Sequence, residues 1–293
     1  MEKTSLQTPR SDAYARRFNQ VFEYIDQHLD APPGLEELSR VANFSRFHFQ
    51  RQFSEYCGMS PARYIQLMRL KRASCRLVFN PLQRVVDIAL DAGYANPESF
   101  ARSFKAIFKQ TPTQFRHNPD WAHWSVQCRF PARERMENME VRIVNTATTL
   151  VAVLEHRGSP ALVNASVSRF IEWRKRSAES PVRSSKTFGI AYDDPQTTAP
   201  DDYRFDICGS IEKPVSSNAQ GVITKEIPGG RCAVVRHIGS RDRLGESVRY
   251  FFKHWLPDSG EEMRDFQVYF HYLDLPNDLP EHELQTDIYL PLL

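Results

Sequence analysis

The chain has 293 residues, room for two domains that each bury a core of their own. Its formal charge of +2 hides an asymmetry: residues 1–120 hold 17 Lys and Arg against 12 Asp and Glu, and residues 121–293 hold 21 against 24. No apolar run approaches 18 residues, MEKTSLQTPR has no apolar stretch of a secretory signal, and Cys57, Cys75, Cys128, Cys208 and Cys232 are scattered without a CxxC. A membrane span, a secreted disulfide scaffold and a zinc site are therefore not expected, and a cytoplasmic chain is.

Residues 1–11 are polar and read as a frayed start. Residues 12–30 carry Phe18, Val21, Phe22, Ile25 and Leu29 at helical spacing, and Ala31-Pro32-Pro33-Gly34 ends that helix. Two similar segments follow. Leu38 and Ile88 stand 50 apart, as do Phe44 and Tyr94; one residue later the offset is 51, matching Ser45 to Asn96, Phe49 to Phe100, Phe53 to Phe104 and Ser60-Pro61 to Thr111-Pro112. Each segment reads as a short amphipathic helix, a tight turn (Ala42-Asn43-Phe44, Ala92-Gly93-Tyr94) and a second helix capped by Ser45 or Asn96. The second helices turn Phe49 and Phe53, or Phe100 and Phe104, inward and leave their other face for solvent or a partner. This is the chemistry of a tandem helix-turn-helix, in which the second helix reads base edges in the major groove.

Between the segments, residues 62–80 read as a helix of about 28 Å. That rod could hold two reading helices in successive major grooves, which recur about every 34 Å. Its Arg63, Arg69, Lys71, Arg72 and Arg76 are read either as phosphate contacts or as a solvated face.

The string from Asn43 to Phe53, and the stretch from Ile88 through Gly93-Tyr94 to Phe104, Thr111-Pro112 and Phe115, resemble the AraC-type transcription regulators over about 100 residues. The resemblance implies double-stranded DNA as partner, RNA polymerase as a further one, and contacts from Arg46, Phe47, Gln50 and Arg51 on the first reading helix. On the second it implies Asn96, Glu98, Arg102 and Lys105. Arg, Gln and Asn have the donor geometry for base edges.

Residues 1–120 are thus assigned to a DNA-binding domain, 121–138 to a linker broken by Pro131, and 139–293 to a second domain. Trp121 and Trp124 read as docking the linker on a domain surface. Beyond residue 139 the period changes to that of strands: MEVRIVNTA and TLVAVLEH, a helix at 161–177, then TFGIAYDDP and YRFDICGSI. The order recurs in GVITKEIP, RCAVVRHIG, a helix over 244–257, FQVYFHYLDLP and TDIYLPLL. His156 and His237, Pro195 and Pro276, and Asp206 and Asp287 each stand 81 apart, and Trp173 and Trp255 stand 82 apart. Two strand-strand-helix-strand-strand units side by side predict an α+β domain: a duplicated antiparallel sheet with both helices on one face.

The strings Tyr203 to Cys208, Ile227 to Gly230, Arg236 to Gly239 and Leu284 to Pro291 resemble GyrI-like effector-binding domains over about 150 residues. The resemblance implies a cleft for small amphipathic, often cationic molecules, lined by aromatics with an acid beneath. Ring faces attract cations. The candidates are Tyr192, Phe205, Trp255, Tyr269 and Tyr289, with Glu283 or Asp287 as the carboxylate and Asp206 as another acid of the same kind. Trp173 and Trp255 read rather as core. GxSxG, HExxH and phosphate-binding glycine loops are absent, so no catalytic residue, cofactor or metal is assigned. His156 and His237 read as structural hydrogen-bonders at matched strand ends. Hydrolysis of a small electrophile, or protein docking, is the alternative for this domain.

Overall fold

The structure, a computed structural model, describes residues 9–130, 139–274 and 279–293. The chain divides into two compact units at Met136 and Glu137.

The first unit is all helical: α1 (Pro9–Gln27), α2 (Leu35–Val41), α3 (Arg46–Cys57), α4 (Pro61–Phe79), α5 (Val85–Asp91), α6 (Pro97–Phe108), α7 (Pro112–His117) and α8 (Trp121–Gln127). The caps repeat with the sequence. Ser45, Ser60, Asn96 and Thr111 each accept a backbone N–H from the first turn that follows, and Pro61 and Pro112 take the first helical positions. The expected stripe of α1 is buried, with Phe18, Val21, Phe22 and Ile25 packed on Phe49, Phe53 and Tyr64. In the second repeat Phe100, Phe104, Phe108 and Phe115 form the matching ring cluster.

Both helix-turn-helix corners turn through one left-handed residue, Asn43 at φ 54° and Gly93 at φ 69°. The backbone bonds coincide: Phe44 N–H donates to Ser39 O at 2.9 Å, and Tyr94 N–H to Ala89 O at 3.0 Å. At Gly93 the Arg69 guanidinium fills the space that a side chain would need.

The stretch 121–138 is not wholly a linker. Trp121 and Trp124 are buried in the first unit, Trp121 edge-on to Phe115 at 5.4 Å, and the Trp124 indole donates to Ser74 Oγ at 2.6 Å. Two large rings three residues apart make this segment a docked helix despite its prolines and mixed charge. Residues 131–138, with Pro131, lie outside the described residues, as do residues 1–8 of the expected frayed start.

The second unit is an eight-stranded antiparallel sheet, β1 (Val141–Thr146), β2 (Thr149–Arg157), β3 (Thr187–Ala191), β4 (Arg204–Ser210), β5 (Ile223–Ile227), β6 (Gly230–Ile238), β7 (Val268–Tyr272) and β8 (Gln285–Pro291). Helix α9 (Val163–Ser177) follows β2; α10 (Leu244–Tyr250) follows β6 and runs through a π turn, Phe251–Trp255, into α11 (Leu256–Ser259). Pro276, the expected repeat partner of Pro195, lies outside the described residues.

The order β1-β6-β8-β7-β3-β4-β2-β5 carries both the predicted duplication and a departure from it. Each half has donated its first strand to the other: β1 pairs with β6, and β5 with β2. Adjacent strands joined by two residues would ordinarily make a hairpin. Here the links Ala147-Thr148 and Pro228-Gly229 cross instead. Gly229 N–H donates to Thr148 Oγ1 at 3.0 Å, and a Cβ on Gly229 would lie 2.6 Å from Thr148 N and 2.7 Å from Thr146 O.

Side chains alternate across the sheet. One face, with Ala152, Leu154, Phe205, Ile207, Phe270 and Ile288, packs under the helices on Phe170, Trp173 and Phe251. The opposite face carries Val151, Val153, Phe188, Ile190, Tyr269 and, half-buried, Tyr192 and Tyr289. Among the described residues no helix is long and apolar enough to cross a membrane, and all five cysteines are free.

Two glycine substitutions test the turns. Gly93→Ala should destabilise the first unit by at least about 1–2 kcal/mol, the cost of a left-handed L-residue, whereas Asn43→Gly should be neutral or better, as read by urea unfolding. Gly229→Ala meets backbone on both sides and should lower the unfolding midpoint of the second unit.

Candidate functional sites on the reading helices and the sheet

On α3 the buried Phe49 and Phe53 fix the rotation of the helix, so Arg46, Phe47, Gln50 and Arg51 are exposed; Phe47 is 73% exposed although it is a large apolar ring. On α6, Phe100, Phe104, Ile107 and Phe108 face inward and leave Glu98, Arg102 and Lys105 in solvent. Asn96 is exposed too, but its Oδ1 accepts Ser99 N–H at 2.8 Å as the helix cap. That bond uses one of the two lone pairs of the oxygen, and the side-chain amide nitrogen is left for other partners.

Most of the cations of α4 are engaged inside the unit rather than set out as a free solvated face. Arg72 binds Asp30 and also donates to Asp91 O at 3.3 Å; Arg76 binds Asp91 at 2.6 Å. The Lys71 ammonium is buried between the rings of Trp124 and Phe130, at 5.9 and 5.2 Å. Arg69 lies 5.9 Å from the Tyr94 ring, and burial lowers its pKa. Arg63 remains exposed and reaches Gln66. The sequence shows how many cations the rod has, but their partners come from the turn after α1, from α5 and from the docked tryptophan segment.

On the open face of the second unit, rings lie across the β3–β7–β8 seam. Tyr269 stacks on Tyr289 with centroids 4.6 Å apart and planes 5° apart, and Phe188 stacks on His271 at 4.7 Å. Phe266 stands 6.3 Å from Tyr269. Burial raises the Tyr269 phenol and lowers the His271 imidazole, so at neutral pH this floor is uncharged.

Acids border the floor. Asp206 is fully buried: Oδ1 accepts from Arg157 at 3.1 Å, and Oδ2 from Tyr192 at 2.9 Å and Lys225 at 2.6 Å. Glu155 holds the same two cations, Lys225 at 2.6 Å and Arg157 at 3.0 Å. Burial pulls the Lys225 ammonium down, but its hydrogen bonds to Asp206 and Glu155 outweigh that and hold its pKa well above the usual value. Asp287 takes Arg236 in a two-pronged pair, both bonds 2.8 Å.

Of the expected ligand residues, Tyr192, Tyr269, Asp287 and Tyr289 share this face. Phe205 and Trp255 do not. Phe205 has the opposite strand parity and packs at 6.4 Å on Phe270 under the helices, where Gly189 leaves it room. Trp255, in the π turn, packs edge-on to Phe251 at 5.8 Å. Glu283 lies outside the sheet in a 3-10 turn (Glu281–Glu283), exposed and 3.5 Å from His282. Phe188 and His271 were legible from alternation around Tyr192 and Tyr269. Lys225 was not, because only the exchanged strand brings it to Asp206.

The duplicated histidines face the helices and act as latches. His156 Nδ1 meets Ser166 Oγ at 2.9 Å with Nε2 at 3.1 Å from Gly158 O and Ser159 O; His237 meets Ser247 at 2.9 Å and Ser240 O at 3.0 Å. Carbonyls only accept, so Nε2 carries the proton and the serine hydroxyl donates to Nδ1. Beside the floor, the ends of β3 and β7 and residues 182–187 enclose an open cleft of ≈560 Å³. No cluster able to hold a metal occurs among the described residues.

Residues 139–293 match the GyrI-like small molecule binding domain family, and residues 38–118 match a helix-turn-helix domain family. The chain is similar to the probable transcriptional regulator YgiV of Escherichia coli K12, 49% identical over 154 residues, which are 53% of this chain and 96% of that protein. It is similar to the transcriptional regulator Rob of Salmonella typhimurium, 31% identical over 106 residues, 36% of each chain. Among solved structures, an EcmrR–DNA complex aligns over 84% of this chain and 82% of its own, at 15% identity and a TM-score of 0.45.

The Asp206 cluster should behave as one unit. Asp206→Asn leaves Lys225 and Arg157 with Glu155 as their one carboxylate and should cost about 2 kcal/mol in chemical unfolding, below the range for a fully broken buried pair. Lys225→Met should cost less, since Arg157 and Tyr192 still serve the carboxylate.

Proposed function

Because the chain belongs, through residues 139–293, to the GyrI-like small molecule binding domain family and carries an AraC-type helix-turn-helix domain at residues 38–118, we propose that it reads DNA through α3 and α6 in response to a small amphipathic molecule on the aromatic sheet face. It is a transcription regulator. DNA as the partner puts its work in the cytoplasm; RNA polymerase is the proposed further partner, and activation the proposed outcome.

The observation that carries the DNA reading is the exposed set Arg46, Phe47, Gln50 and Arg51 at the start of a helix whose inner face is locked by Phe49 and Phe53. Helix-turn-helix proteins place that part of the second helix against base edges. Arg102 and Lys105 are the corresponding cations of the second unit; Glu98, an acid beside them, would accept from a cytosine amino group.

Binding rather than catalysis is proposed for the sheet domain. Hydrolysis would need a carboxylate within hydrogen-bond reach of an attacking water. Asp206 has no exposed edge, and both oxygens are taken by Arg157, Lys225 and Tyr192. Asp287 is held two-pronged by Arg236.

Gel shifts across a salt series test the DNA half. Gln50→Ala and Arg51→Ala should each cost about 1–3 kcal/mol on the specific site and far less on random DNA. Arg76→Ala should lower the melting temperature yet leave the slope of log affinity against log salt unchanged, whereas losing a phosphate contact shallows that slope by about one. A shallower slope in Arg76→Ala would return α4 to the DNA.

A further inference from the structure

The charge of the effector can be read from which groups on the open face are already matched. Glu155, Asp206 and Asp287 all hold cations of the chain itself. A positively charged ligand seeking Asp206 would have to evict Lys225 and Arg157 from a fully buried carboxylate. It would also meet like charge at the Tyr192 ring, where Arg157, Arg204 and Lys225 stand at 5.7, 5.5 and 5.8 Å from the centroid. That ring face is already used by cations of the protein.

The charge left at the neighbouring cleft is net positive: Lys186 and Arg183 line it against one carboxylate, Asp274, whose Oδ2 accepts Gln285 N–H at 2.7 Å. Lys186 and Arg183 are exposed and have no carboxylate partner among the described residues. Lys186 shares the strand parity of Phe188, and with Arg183, Ser184, Ser185 and Thr187 it lines the ≈560 Å³ cleft. His271 lines the same cleft and stacks on Phe188, so cleft and aromatic floor are continuous. The surroundings therefore offer an apolar bed at one end and cations with hydroxyl donors at the other.

Resting on the reading of this face as the effector site, we propose that the effector is an anion: an aromatic carboxylic acid whose ring system lies on the floor and whose carboxylate faces Lys186 and Arg183. Selectivity then comes from carboxylates already paired inside the chain, which leave a cation no partner, and from the net positive charge at the cleft, which attracts an acid.

Titration calorimetry of the full chain with 2-naphthoate, 2-naphthamide and 2-naphthylmethylammonium, matched in size and differing in charge, tests this. The acid should bind about tenfold more tightly than the amide, and the ammonium more weakly than both. In Lys186→Gln/Arg183→Gln, a surface change whose folding is checked by melting, the acid should weaken about tenfold and the amide stay within about twofold. An ammonium that matches or beats the acid, or an acid that ignores the double variant, overturns the anion preference while the site stands. Failure of all three probes to bind counts against the site itself.

Discussion

The second domain depends on the place where two short links pass each other at Gly229. Crossing there sends β5 to the edge of the half it does not belong to in sequence and β1 to the edge of the other. Neither half can then be closed without the other. The consequence reaches the chemistry: β5 carries Lys225 to within 2.6 Å of both Glu155 and Asp206. With β5 as a hairpin partner of β6, Asp206 would be a buried acid with one fewer cation, closer to what the sequence alone leads one to expect of a cation receptor. A glycine with no room for a methyl group thus helps decide the charge of the site.

The two copies of the repeat have diverged unevenly, and the pattern follows the faces. Under the helices they match atom for atom in kind: histidine, serine hydroxyl and turn carbonyl recur with the same contacts in both halves. On the open face the same offset pairs Glu155 with Arg236, Phe188 with Tyr269, Ile190 with His271 and Cys208 with Tyr289. A face that only has to pack a helix has the same task twice. The open face has no such shared task, and its two halves have come to carry different side chains. Asp206 and Asp287 bridge these cases: both remain acids, each answered by different local cations.

Much of this architecture is legible in the residues. The tandem repeat, its caps at Ser45 and Asn96, its inward phenylalanines and the duplicated sheet follow from spacing and side-chain chemistry, because local periodicity is set by the backbone itself. Strand exchange is not, since a two-residue link reads alike whether it turns back or crosses over. Face assignment was within reach: Phe205 and Tyr192 fall on opposite faces once their strands are aligned, and Trp255 packs with the helix-side core, as its core reading expects. Trp121 and Trp124 were legible as docking residues, but the helix they build lay hidden in a charge-mixed stretch.

The same limit applies to the rod of the first unit, with a mechanical outcome. Counting arginines on α4 shows available charge; only packing shows where that charge goes. Arg72 reaches Asp30 in the turn after α1 and Asp91 O at the end of α5, so one guanidinium ties that turn and the second repeat to the rod. Arg76 and Gln83 add to the hold on Asp91, and Arg116 donates to Leu77 O and Gln83 O where the rod ends. Exposed pairs of this kind contribute little each to stability, but several converging on one segment restrict how the repeats can turn relative to one another. The second repeat is thereby held on the rod within the folded unit. Most cations of the rod are thus engaged within the folded unit, with Arg63 left exposed.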